Sequence, residues 1–137
     1  MGRILAIDFG LKRTGLAVTD PLQIIANGLE TVPTHTLLAY LQTYFAKETV
    51  DQVVIGMPKN LDNTDTDSTA GVRLFIKSFR KKFPLIPLEE HDERFTSKLA
   101  MQAMIAGGMS KKDRREKGTV DRVSATIILQ SYLESKS

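Results

Sequence analysis

The stretch Gln52-Val53-Val54-Ile55-Gly56 is an apolar, β-branched run with no polar alternation, the pattern of a strand covered on both faces. A strand with no wet face has to sit inside a sheet with helices above and below it. The flanking sequence supplies such helices. Upstream, Thr36 to Lys47 places Leu37, Leu38, Leu41, Tyr44 and Phe45 three and four residues apart, the stripe of an amphipathic helix. Downstream, Val72, Phe75, Ile76 and Phe79 repeat that spacing after a polar stretch, Asn60 to Thr69, that reads as a loop.

The remaining elements follow from the same rules. Two apolar runs, Arg3 to Phe9 and Gly15 to Thr19, flank Gly10 and a basic turn and predict a β-hairpin. A third extended segment spans Ile24 to Val32 and stops at Pro33, which cannot continue a ladder. Leu85 to Glu90, after Pro84, predicts another strand. Thr96 and Ser97 then cap a helix that Gly107-Gly108 ends, and a last helix covers about Val120 to Leu133, with Ser124, Ile128 and Tyr132 following Asp121 near one face. The order β-β-β-α-β-α-β-α-α predicts an α/β fold: a mixed five-stranded sheet, three strands antiparallel and the rest parallel, flanked by helices on both faces.

At 137 residues the chain suits one domain, residues 1–137, and has no room for a second full lobe. That disfavours an actin-like or sugar-kinase-like phosphotransferase, whose site lies between two lobes. The absence of cysteine excludes disulfides, zinc fingers and thiol nucleophiles. A carboxylate at Asp8 interrupts what would be a signal peptide's apolar region, and no apolar run reaches membrane-spanning length. The expectation is a cytoplasmic protein with no membrane partner.

Three acids carry the chemistry. Asp8 ends an otherwise apolar strand, where a carboxylate is costly unless paired, hydrogen-bonded or bound to a metal. His91-Asp92-Glu93-Arg94 follows the Leu85 to Glu90 strand, at the carboxyl end where ligands collect in doubly wound sheets. Asp121 stands near the start of the last helix. Singly, each has a structural reading: a turn cap, an internal ion pair, a favourable charge at a helix N-terminus. Together at one sheet edge they would repel one another, and a divalent cation relieves that repulsion. Carboxylate oxygens suit Mg²⁺ or Mn²⁺, and two such ions about 3.5 to 4 Å apart can activate water and steady the leaving oxygen of a phosphodiester.

Four segments, Asp8-Phe9-Gly10-Leu11-Lys12-Arg13-Thr14-Gly15-Leu16-Ala17-Val18, Gly56-Met57-Pro58-Lys59-Asn60, Asp92-Glu93-Arg94-Phe95-Thr96 and Val120-Asp121-Arg122-Val123-Ser124-Ala125, together resemble the YqgF (RuvX) family. Its members are described as pre-16S rRNA nucleases and as Holliday junction resolvases. The resemblance covers nearly the whole chain in order, and four ordered motifs are far more specific than one. It implies a ribonuclease H-like fold, cytoplasmic location, hydrolysis of structured nucleic acid, and Asp8, Glu93 and Asp121 as catalytic, metal-holding acids. Two departures stand out: Asp62 is followed by Asn63 rather than the usual glycine, and the strand ending at Gly56-Met57-Pro58 lacks the acid that related resolvases place there. The second acid must then come from the His91 to Arg94 segment, as Glu93 or Asp92.

Lys111 to Lys117 holds five basic residues, Lys111, Lys112, Arg114, Arg115 and Lys117, against two acidic ones. It is either a solvated surface run or a phosphate-contacting segment next to Asp121, and that adjacency favours the latter. Lys12, Arg13, Lys59 and Arg94 are further candidates for phosphate contact. His91 is a candidate proton carrier, although a lone histidine more often serves structure. With few aromatics, backbone and shape recognition fits better than base stacking. An rRNA precursor and a branched DNA remain distinct substrates. The chain is expected to be a monomer or a homodimer, and a symmetric junction requires the two active sites of a homodimer. A noncatalytic RNA-binding module is the competing class.

Overall fold

The computed structural model describes residues 2–57, 69–92 and 117–136. Five strands, β1 (Arg3–Asp8), β2 (Arg13–Thr19), β3 (Ala26–Pro33), β4 (Val50–Met57) and β5 (Leu88–Asp92), form one sheet in the order β3-β2-β1-β4-β5. The pairs β1/β2 and β2/β3 are antiparallel, and β1/β4 and β4/β5 are parallel. Helices α1 (Leu37–Lys47), α2 (Thr69–Lys82) and α3 (Lys117–Lys136) complete the described elements. The expected mixed sheet is the observed one.

Strand pleating sorts the core into two layers. Leu5 and Ile7 of β1, Leu16 of β2, and Val53 and Ile55 of β4 pack with Leu37 and Leu41 of α1 and Val72, Phe75, Ile76 and Phe79 of α2. The alternate residues Ile4, Ala6, Ala17 and Val54 pack on the other face with Ala125, Ile128, Leu129 and Tyr132 of α3. Helices therefore cover both faces, as the uninterrupted β4 run requires.

Several boundaries differ from the sequence reading: β2 starts at Arg13 rather than Gly15, β4 spans Val50–Met57, and β3 includes Pro33, which sits opposite Arg13 as the last residue of an edge strand, where a proline is tolerated. Three further differences each have a local reason. The β3 strand begins at Ala26 because Ile24 and Ile25 belong to a turn organised by Asp20, whose carboxylate accepts their backbone N–H groups at 2.8 Å each. These bonds, Ile25's first and then Ile24's, hold the Asp20 carboxyl below its ordinary value. An NMR carboxyl titration should therefore place its midpoint below 3.8. Secondly, β5 begins at Leu88 rather than Leu85, which is 94% exposed. Proline 87 lacks an N–H and offers only its carbonyl, to Val53 at 2.9 Å, so pairing starts one residue later. As a result His91 and Asp92 are strand residues, not a loop. Thirdly, α3 extends from Lys117 to Lys136, which puts Asp121 in its second turn rather than at its start. The segment expected as the Thr96–Gly107 helix lies outside the described residues.

Candidate active site

Asp8 is the last residue of the central strand β1. Two residues beyond Ala6, it falls by alternation on the face covered by α3, and it is half-buried. Its neighbours in the sheet are unusual. Asp8 pairs with Gly15 of β2. On the other side Ile7 pairs with Ile55, which brings Gly56 into the next row beside Asp8, and Gly56 in turn pairs with His91. In the row Gly15-Asp8-Gly56-His91 the carboxylate thus has a glycine as its neighbour on each side, at the carboxyl ends of the parallel strands.

The turn after Asp8 is held by bonds that the residue types alone did not announce. The Thr34 hydroxyl donates to the Gly10 carbonyl at 2.6 Å and shares a hydrogen bond of 2.9 Å with the Thr14 hydroxyl, while the Thr34 N–H donates to the Lys12 carbonyl at 2.9 Å. Gly10 itself allows the chain to double back, since a Cβ there would collide with the Arg13 carbonyl oxygen. Thr14 and Thr34 are therefore supports of the site, missed because threonine is an ordinary strand and turn residue. Thr34→Val keeps the shape and removes the hydroxyl. It should destabilise the protein by about 1–3 kcal/mol in urea unfolding, because the buried Thr14 hydroxyl and Gly10 carbonyl lose their partner, and should lower any Asp8-dependent activity by loosening the turn.

Asp121 occupies the α3 position one turn before the buried Ser124 and Ala125, on the same helical stripe. The helix enters over β3, where the Cβ of Arg122 lies 3.6 Å from the place a Cβ on Gly28 would take. It then crosses Ala17, Ala6 and Val54 and ends near β5. Asp8 and the backbone of Asp121 thus share one face, with β2 lying between β1 and the strand over which α3 begins. At the far end the His91 Nε2 and Ser131 Oγ share a 2.9 Å hydrogen bond, and the His91 ring stands edge-on to Tyr132 at 6.4 Å. His91 ties β5 to α3.

Glu93 follows directly on Asp92, the end of β5, and lies outside the described residues, as do Lys59, Arg94, Lys111, Lys112, Arg114 and Arg115. Lys12 is exposed in the turn after Asp8, Arg13 opens β2, and Lys117 opens α3. Among the described residues no group of three or more acids or histidines is gathered to hold a metal. The donors in question nevertheless suit one, since all three are carboxylates.

Comparison with known proteins gives a consistent result. The family model described as RuvX, Holliday junction resolvase, matches residues 2–135. A protein of Phocaeicola vulgatus named "Putative pre-16S rRNA nuclease" is 59% identical over 136 residues, covering 99% of this chain and 98% of that one. Proteins of the same name from Bacteroides thetaiotaomicron and Flavobacterium johnsoniae are 54% and 53% identical, each alignment covering 99% of both chains. Among solved structures, T. thermophilus RuvC in complex with a Holliday junction substrate is similar with a TM-score of 0.56 at 16% identity, over 99% of this chain and 96% of that one. A second Thermus thermophilus RuvC structure gives a TM-score of 0.52 at 16% identity, over 98% and 95%. At that identity the likeness carries the fold, which is ribonuclease H-like. With a family model matched by residues 2–135 and relatives above half identity, the chain belongs to the RuvX family.

Proposed function

We propose that this protein is a metal-dependent nuclease that hydrolyses phosphodiester bonds in structured nucleic acid, and that its substrate is the 5′ end of the 16S rRNA precursor in the cytoplasm. The observation that carries the reading is Asp8: a half-buried carboxylate at the carboxyl end of the central strand, in a row with glycine on both sides. The names of relatives above half identity support the rRNA precursor as the substrate. The whole chain, residues 1–137, then acts as one nuclease domain.

In this reading Asp8, Glu93 and Asp121 are the catalytic acids and hold Mg²⁺ or Mn²⁺, two ions. Bound there, the metal would supply an activated water and neutralise charge on the leaving oxygen. The family resemblance favours Glu93 over Asp92. His91 lies on the α3 side, where it meets Ser131, whereas Glu90 lines a groove with α2. Lys12, Arg13, Lys59, Arg94, Lys111, Lys112, Arg114, Arg115 and Lys117 would engage phosphates and set the register of the backbone.

A four-way DNA junction is the second reading, favoured by the family's description and by the fold shared with RuvC. It requires two sites in a homodimer, whereas precursor cleavage is open to a monomer. Cleavage of matched precursor RNA and junction DNA in Mg²⁺, Mn²⁺ and EDTA tests both. The expected result is cutting of the RNA that stops in EDTA. Activity that survives EDTA would overturn the metal mechanism, and preference for the junction together with a dimer in solution would select the second substrate.

A further inference from the structure

Helix α2 carries Arg73, Lys77, Arg80, Lys81 and Lys82 and no acidic residue, and all five are exposed. Their spacing is not random. Arg73, Lys77 and Arg80 stand four and three residues apart, so they form one stripe about 10 Å long on the helix surface. The apolar stripe of Val72, Phe75, Ile76 and Phe79 faces the core, and the basic stripe flanks it on the side of β5. There Arg73, Lys77 and Arg80 line a groove of about 390 Å³ together with Ile76 and Glu90. Among the described lining residues, one acid faces three bases.

The direction of the stripe matters as much as its sign. The first turn of α2 packs on the turn after Asp8, since a Cβ on Gly71 would lie 3.0 Å from Leu11 and 3.3 Å from Phe9. Its last turn reaches the opposite edge of the sheet, where the Arg80 guanidinium donates to the carbonyl of Leu88, the first residue of β5, at 3.2 Å. That bond uses one of five guanidinium N–H groups. The stripe therefore starts beside the candidate active-site edge and leads away from it, on the sheet face opposite to Asp8. It cannot touch the bond being cut. A polyanion leaving the site past the end of β5 would run along it.

Resting on the nuclease reading above, we infer that the Arg73-Lys77-Arg80 stripe binds the phosphate backbone of a duplex arm of the substrate, several base pairs from the cleaved bond. Phosphates advance about 3.4 Å along the axis per nucleotide of each strand in B-form DNA and somewhat less in an A-form RNA stem, so a stripe of that length spans about three or four of them. The contact is electrostatic and independent of base sequence, and it favours substrates with a long stem over ones with the same cut site and a short stem.

The test measures binding in EDTA, where the proposed nuclease does not cut, with a precursor fragment carrying a stem of about 20 base pairs and one shortened to about 6. Lys77→Glu should weaken binding of the long stem about tenfold, and Lys47→Glu, the same exposed charge reversal at the end of α1, should change it less than about twofold. The Arg73→Gln/Lys77→Gln protein should show a salt dependence shallower by about 1.8 in slope, two phosphates' worth. Equal effects of Lys77→Glu and Lys47→Glu, an unchanged slope, or equal loss on both stems would overturn the inference while leaving the nuclease reading intact. A wild-type protein that neither binds nor cuts the precursor would overturn both.

Discussion

Asp8→Asn is expected to reduce nuclease activity by at least about 10³-fold, about 4 kcal/mol of transition-state stabilisation, while leaving the protein folded. The substitution keeps the size of the side chain and removes its charge. A carboxylate at the end of the central strand suits a hard cation through its charge, so losing that charge is expected to cost cation binding far more than it costs the fold. Gly15 and Gly56 flank the position in the sheet without side chains, so neither of these two neighbours can stand in for the lost oxygen. Single-turnover cleavage of the precursor, with circular dichroism to confirm the fold, measures the effect. Cleavage by the Asn variant within tenfold of wild type would sink the metal-nuclease reading and favour a noncatalytic RNA-binding module.

Phe79→Ala should produce the largest loss of stability. Phe79 is fully buried in α2, and its ring lies 5.1 Å from Phe83, 6.1 Å from Phe75 and 6.2 Å from Phe45. Removing it subtracts the transfer free energy of a buried ring and leaves a cavity that three rigid aromatic neighbours cannot collapse into, a cost of about 3–5 kcal/mol. Against a typical total of about 5–15 kcal/mol this is a large fraction, and Tm should fall by roughly 10–20 °C. Thermal and urea unfolding measure it. The ring packs on the sheet face opposite to Asp8, so catalysis below the new Tm should persist. A loss under about 1 kcal/mol would contradict the packing of α2 described above.

Much of the fold was legible because it rests on periodicity. The apolar spacing of α1 and α2 and the unbroken β4 run each declare a buried face, and helices on both sides of a mixed sheet follow from the element order. Boundaries were less legible where one residue's chemistry overrode the pattern. Ile24 and Ile25 have high β propensity, yet Asp20 recruits their N–H groups into a turn. Leu85 reads as strand, yet pairing waits until Pro87 has passed. Within the candidate site Asp8 was visible as a charge in apolar surroundings. Its supports were not: Thr14 and Thr34 act through hydrogen bonds to residues up to 24 positions away, and no local pattern encodes such a pairing.

By itself the sequence determined which faces had to be buried, and so an α/β architecture of this size, because apolar burial depends on the period of each element. It also marked Asp8 as a carboxylate in need of a partner, because a charge at the end of an apolar strand is costly wherever that strand lies. Only the tertiary structure decided the register that seats Asp8 between Gly15 and Gly56 and in line with His91. It alone placed α3 on the Asp8 face and sent the basic stripe of α2 down the other side of the sheet. Strand register and helix placement are fixed by hydrogen bonds and packing between residues far apart in the chain, and a shift of a single residue would turn every one of these side chains to the opposite face.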